Sequence, residues 1–133
     1  MRAEVALCLL VNDYDEAIDF YCRKLGLFNV DADNDFGGGQ RFVYLTFSDP
    51  EFAFALHLQR PDDGSTVLIG KQAGKYILTS LPIADADRML ARLNGERIEP
   101  EGGIHELPYG RQVILHDHLG NRIALLQRYL DNV

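Results

Sequence analysis

Apolar residues run almost unbroken from Val5 to Val11 and then, past Asn12, change to a spacing of three and four: Tyr14, Ala17, Ile18, Tyr21 and Leu25. The first pattern predicts a buried strand over 4–11 and the second an amphipathic helix over 13–25. Asp13 is placed to cap that helix, Glu16 three residues on completes a capping box, and Gly26 supplies the stop. The pattern returns 72 positions later, with Asp85 in the place of Asp13, then Ala86, Met89, Leu90 and Leu93, and Gly95 as the predicted stop. The chain reads as two copies of one small unit.

Each copy continues in a similar way. In the first, strands are predicted over 27–30, 41–47 and 52–59, with Ser48 to Glu51 as a turn. Residues 52–59 alternate sharply, so that Phe52, Phe54, Leu56 and Leu58 share one face and Ala53, Ala55, His57 and Gln59 the other. The acidic, glycine-rich DADNDFGGGQ reads as a mobile hairpin or lid loop. Its three glycines neither follow a GxGxxG spacing nor open a helix, so they are not a phosphate cradle. In the second copy, strands are predicted over 76–83, 96–98, 111–115 and 122–127, a helix over 86–94, and PEGGIHELPYG as a loop. The fold class is therefore α+β, two βαβββ modules (about 1–60 and 75–128) joined by a polar linker at about 61–74, in a single domain over 1–133. A half of this size leaves one sheet face bare, so the halves are expected to pair, within a chain or across a dimer, and enclose a cavity.

Composition narrows the partners. With 133 residues, 47% of them hydrophobic, the chain can bury one core. A formal charge of −7 and no Lys/Arg cluster exclude a nucleic-acid binder on electrostatic grounds. The first apolar run follows Arg2 and Glu4 rather than a basic leader and is too short to span a bilayer, so neither export nor membrane insertion is expected. Cys8 and Cys22 are too few for a disulfide framework, which fits a reducing cytoplasm.

LLVNDYDEAIDFYCRKLGLF in the first half and YGRQVILHDHLGNRIALLQ in the second resemble the vicinal-oxygen-chelate superfamily of glyoxalase I, bleomycin-resistance proteins and extradiol dioxygenases. The resemblance implies a glyoxalase-like curved mixed sheet around a cavity, a homodimer, and, in the enzymes, a divalent metal held by up to four His, Glu or Gln side chains. Carried onto this chain, the first-strand metal positions are Ala6 and Leu78, seven before each cap, and the last-strand positions are His57 and Ala124. Matching LQR at 58–60 with LQR at 126–128 would instead set Leu56 opposite Ala124. In either register at most one ligand survives, too few to hold a catalytic divalent ion. No metal or cofactor is expected.

The implied function is thus a glyoxalase/bleomycin-resistance-like protein that binds a small organic ligand in a largely apolar cavity lined by Ala6, Cys8, Leu78 and Ala124, with His57, Arg41 and Tyr44 as polar contacts. Whether the chain is an enzyme stays open. One alternative is a metal-dependent lyase, isomerase or dioxygenase with a displaced ligand set drawn from His57, Glu106, His116 or a dimer partner, Glu106 being the acid–base candidate. Another is a non-catalytic interaction domain. His105, His116 and His118 around Asp117 are read as solvated, structural residues.

Overall fold

The computed structural model describes residues 5–130, so that Arg2 and Glu4 lie outside the described residues. The chain divides into two compact units, residues 1–72 and 73–133.

In the first unit, β1 (Val5–Leu10) leads into α1 (Tyr14–Ile18), which continues without a break as a π-helical segment over Asp19–Lys24. Asp13 caps the helix as its sequence position requires, its Oδ1 accepting from Glu16 N at 3.1 Å. The widened turn, marked by Leu25 N donating to Phe20 O at 2.9 Å, brings Phe20 and Tyr21 inward together and leaves Ile18 half-buried. Gly26 (φ 69°) then ends the helix. The inward aromatics run edge to face from Phe20 through Tyr21 and Phe28 to Phe47 with centroids 5.2–5.7 Å apart.

Strands β2 (Phe28–Gly37), β3 (Gln40–Phe47) and β4 (Phe54–Gln59) complete a curved, open sheet in the order β1-β4-β3-β2, parallel only between β1 and β4. This corrects the reading of DADNDF as a mobile loop. Residues 31–37 are the outer half of β2, laddered to β3 through two irregularities of register, and only Gly38 and Gly39 form the turn. The linker is also built rather than loose. A short 3-10 turn, Gly64–Leu68, is capped by Asp63, and Gln72 grips the outer side of β1 by accepting from Leu10 N and donating to Cys8 O, both at 2.8 Å.

The second unit repeats the plan with β5 (Ile77–Pro82), α2 (Ala86–Gly95), β6 (Ile104–Leu107), β7 (Gly110–His116) and β8 (Arg122–Arg128), in the order β5-β8-β7-β6. Asp85 caps α2 through Arg88 N at 3.1 Å. Met89 and Leu93 of α2 are buried on the side of Leu81, Val113, Leu115, Ile123 and Leu125, an aliphatic counterpart of the aromatic first core. Two expectations are corrected. Residues 96–98 are not a strand, 96 and 97 forming a turn, and the strand in that place is β6, inside PEGGIHELPYG. The left-handed residue past α2 is Arg97 (φ 60°), not Gly95, which is still helical.

Candidate functional site

Strand pairing decides which side chains can meet, because residues opposite one another point to the same side of a sheet. In the first unit α1 covers the face of Val43, Leu45, Leu56 and Leu58. On the other face, which carries no helix of the first unit, Ala6 stands opposite Ala55, Cys8 opposite His57, Tyr44 opposite His57, and Ala32 opposite Tyr44. Phe42 and Tyr44, two apart on β3, stack with centroids 5.9 Å apart and planes within 7°. The His57 ring lies tilted against both, at 5.0 Å from Phe42 and 5.8 Å from Tyr44. Around this patch the side chains are small: Ala6 and Cys8 are exposed, His57 and Phe42 half-buried, and Ala55 buried.

A polar rim adjoins it. The amide nitrogen of Gln59 lies 3.1 Å from His57 Nε2. Gln59 also lines an open cleft of about 410 Å³ with Leu10, Gln40, Arg60, Asp62 and Ser65. Burial raises the thiol pKa of both cysteines, that of Cys22 to about 11, so neither is poised as a thiolate nucleophile.

Arg41 does not join this face. One residue from Phe42, it projects to the helix side, where it bridges Asp15 of α1 (3.0 Å) and Asp33 of β2 (2.7 Å) and lies 5.4 Å over the Tyr14 ring. Those carboxylates hold its guanidinium even more firmly protonated than usual. It lines a separate cleft of about 380 Å³ with Asn12, Tyr14, Asp35, Arg60 and the glycine turn. Arg111 repeats the arrangement in the second unit, bridging Asp87 of α2 (2.8 Å) and Glu106 of β6 (2.9 Å). Glu106 therefore belongs to a strand rather than a loop, and also accepts from Tyr129 Oη at 3.1 Å.

The metal positions implied by the resemblance can be compared directly. Cys8 and Ser80 are each five residues before a cap, and they pair with His57 and Ala124 respectively. His57 and Ala124 are thus the equivalent positions, and the alternative register through Leu56 is excluded. Leu78, skipped by the ladder between Ile77 and Thr79, is half-buried. Ala6, Leu78 and Ala124 are hydrocarbon with no donor atom, so the residues present do not fit the family's metal. No three His, Cys, Asp or Glu side chains converge on a metal position among the described residues.

His105 and His116, read from sequence as solvated, structural residues, share the helix-free face of the second unit: His105 pairs with Gln112, and His116 with Arg122. They are linked through Glu101, a residue the sequence reading passed over. Its backbone oxygen lies 2.7 Å from His105 Nε2, and its carboxylate lies 3.2 Å from His116 Nε2 and meets Arg122 at 2.9 Å twice. The Arg122 hydrogen bonds hold the Glu101 carboxyl below its ordinary pKa. Glu106 points to the opposite face with Arg111, so it does not act together with His116. Asp117 accepts three hydrogen bonds at 2.9 Å, from Leu119 N, Asn121 N and Asn121 Nδ2, and closes its own turn, in which His118 is half-buried.

The profile of the Glyoxalase/Bleomycin resistance protein/Dioxygenase superfamily matches residues 4–125. The chain belongs to this superfamily. This superfamily chain is 30% identical over 123 residues to an uncharacterized protein of Shewanella frigidimarina, spanning 92% of this chain and 91% of that one. Among solved structures, TnmS3, an antibiotic binding protein from Streptomyces sp. CB03234, is 27% identical with a TM-score of 0.75, over 96% of this superfamily member and 97% of TnmS3. A glyoxalase/bleomycin resistance protein from the same strain is 27% identical with a TM-score of 0.73, over 94% and 100% of the two chains.

Proposed function

We propose that this superfamily member binds a small, flat organic molecule on the helix-free face of its first unit, without the divalent metal used by the family's enzymes. The stack of Phe42 on Tyr44 with His57 against both carries the reading. It offers π surface beside small side chains that leave room for a guest. The metal-free part rests on hydrocarbon at three of four ligand positions. The likeness to an antibiotic binding protein supports a natural-product-sized ligand. One functional domain over 1–133, a homodimer and a cytoplasmic location complete the proposal on the strength of the family resemblance, with Cys8 and Cys22 both free thiols.

Metal analysis and thermal unfolding of chelator-stripped protein with Zn²⁺, Ni²⁺, Mn²⁺ or Fe²⁺ test the first half. A metal at a hundredfold its dissociation constant would add about 2.7 kcal/mol of stability. The expected result is no shift and no stoichiometric metal; either one overturns the metal-free reading. A screen of flat aromatic compounds tests the second half. A saturable binder whose affinity falls about threefold to tenfold in Phe42→Ala is expected, and binding indifferent to Phe42 would move the site elsewhere.

A further inference from the structure

Gln59 is the one polar partner of His57 among the described residues, and the contact bears on the imidazole's tautomer. The atom 3.1 Å from His57 Nε2 is the amide nitrogen, which carries hydrogens and has no lone pair to offer. In this orientation the amide donates and Nε2 accepts, an arrangement that a neutral imidazole meets with its single proton on Nδ1. Nothing among the described residues hydrogen-bonds Nδ1, whose ring stands half-buried against Phe42 and Tyr44. A donor held beside an aromatic stack recognises an acceptor on the edge of a flat guest.

From this geometry we infer that Gln59 is a positioning residue that fixes His57 as an Nδ1–H donor, and that the ligand is a flat conjugated molecule carrying a carbonyl or similar acceptor oxygen at its rim. This rests on the binding face proposed above and adds the acceptor chemistry and the residue that selects it. Gln59 also lines the polar cleft beside the patch, so the same side chain orients the imidazole and borders the place where the polar end of such a guest would lie.

Two measurements on the intact chain separate this inference from the reading beneath it. The first is the long-range proton–nitrogen correlation spectrum of ¹⁵N-histidine-labelled protein, which reports the ring tautomer without any ligand. The His57 proton is expected on Nδ1, and in Gln59→Glu, whose carboxylate only accepts, on Nε2. A wild-type proton on Nε2 would mean that the amide presents its oxygen, and would overturn the inference. The second is binding of two probes of nearly equal shape, 9-fluorenone-2-carboxylate and fluorene-2-carboxylate, which differ in the carbonyl acceptor. Wild type is expected to prefer the fluorenone about fivefold to tenfold, the usual worth of one hydrogen bond, and Gln59→Glu to lose the preference while still binding fluorene. Equal binding of both probes by wild type overturns the acceptor assignment and leaves the binding face standing. Binding of neither removes the face and the acceptor assignment together, while the spectrum still decides what Gln59 does to the ring.

Discussion

Arg97 holds φ at 60°, the left-handed region in which an L side chain crowds its own backbone by about 1–2 kcal/mol. Two residues earlier Gly95 is helical, where glycine costs about 0.5–1 kcal/mol relative to alanine, and a Cβ there would meet nothing within 4 Å. Both sites accept improvement. Gly95→Ala is expected to raise stability by about 0.5–1 kcal/mol and Arg97→Gly by about 1 kcal/mol, read as higher urea midpoints with an unchanged slope. A loss of stability in Gly95→Ala would restore the sequence reading of Gly95 as the stop. At this scale the caps were legible because Asp13 and Asp85 act on backbone three residues away, whereas the choice between Gly95 and Arg97 turns on where the chain must go next. His57 was singled out by the family resemblance, with strand parity giving it a face otherwise lined by small residues. Its partners Phe42 and Gln59 were visible in the same alternation, Gln59 on His57's own strand and Phe42 two residues before Tyr44, but their contact depends on a register that only the ladder supplies.

Among the elements, β6 and the outer half of β2 escaped the sequence reading for one reason. Each is at the end of a strand order, the outer half of β2 largely exposed and β6 without a fully buried residue, so neither needs a strong apolar alternation, and the hydrogen bonds that make each a strand belong equally to β7 or β3. Arg41 and Arg111 were within reach of parity alone, since each shares parity with the fully buried residues of its strand, Val43 and Leu45 in β3 and Val113 and Leu115 in β7, and each ties the sheet to an acidic residue two past a helix cap. The hairpin of the second unit also carries a tight packing constraint. Gly110 faces β8 so closely that a Cβ would fall 2.4 Å from Gln127 O and 3.0 Å from Arg128 Cα, both backbone atoms that cannot turn aside. Gly110→Ala is therefore expected to cost about 1–3 kcal/mol, measured by denaturant unfolding. A neutral result would mean that β8 shifts freely along β7.

For the whole molecule, the duplicated plan was legible while the chemistry assigned to each copy was not. One copy carries the aromatic patch and the other the Glu101, His116 and Arg122 cluster, and no helical or strand period links 101 to 116. Arg122 lowers the pKa of Glu101, and Arg111 that of Asp87, relative to the unfolded chain. Stability from these groups is complete above the ordinary carboxyl range and is lost as pH falls through the depressed folded values, because there the unfolded chain takes up protons that the folded one refuses. Stability is therefore expected to decline from about pH 5 towards about pH 2, and less steeply in Arg122→Met, as urea midpoints across that range would show. The amide of Gln72, which mimics a peptide group against β1, has a consequence for how copies of this chain associate. Leu10 N and Cys8 O are the groups through which a foreign strand would extend the sheet, and both are already engaged by the chain's own side chain. Replacing Gln72 with alanine would therefore open a template for strand addition, and the symptom would be concentration-dependent aggregation of folded protein rather than unfolding.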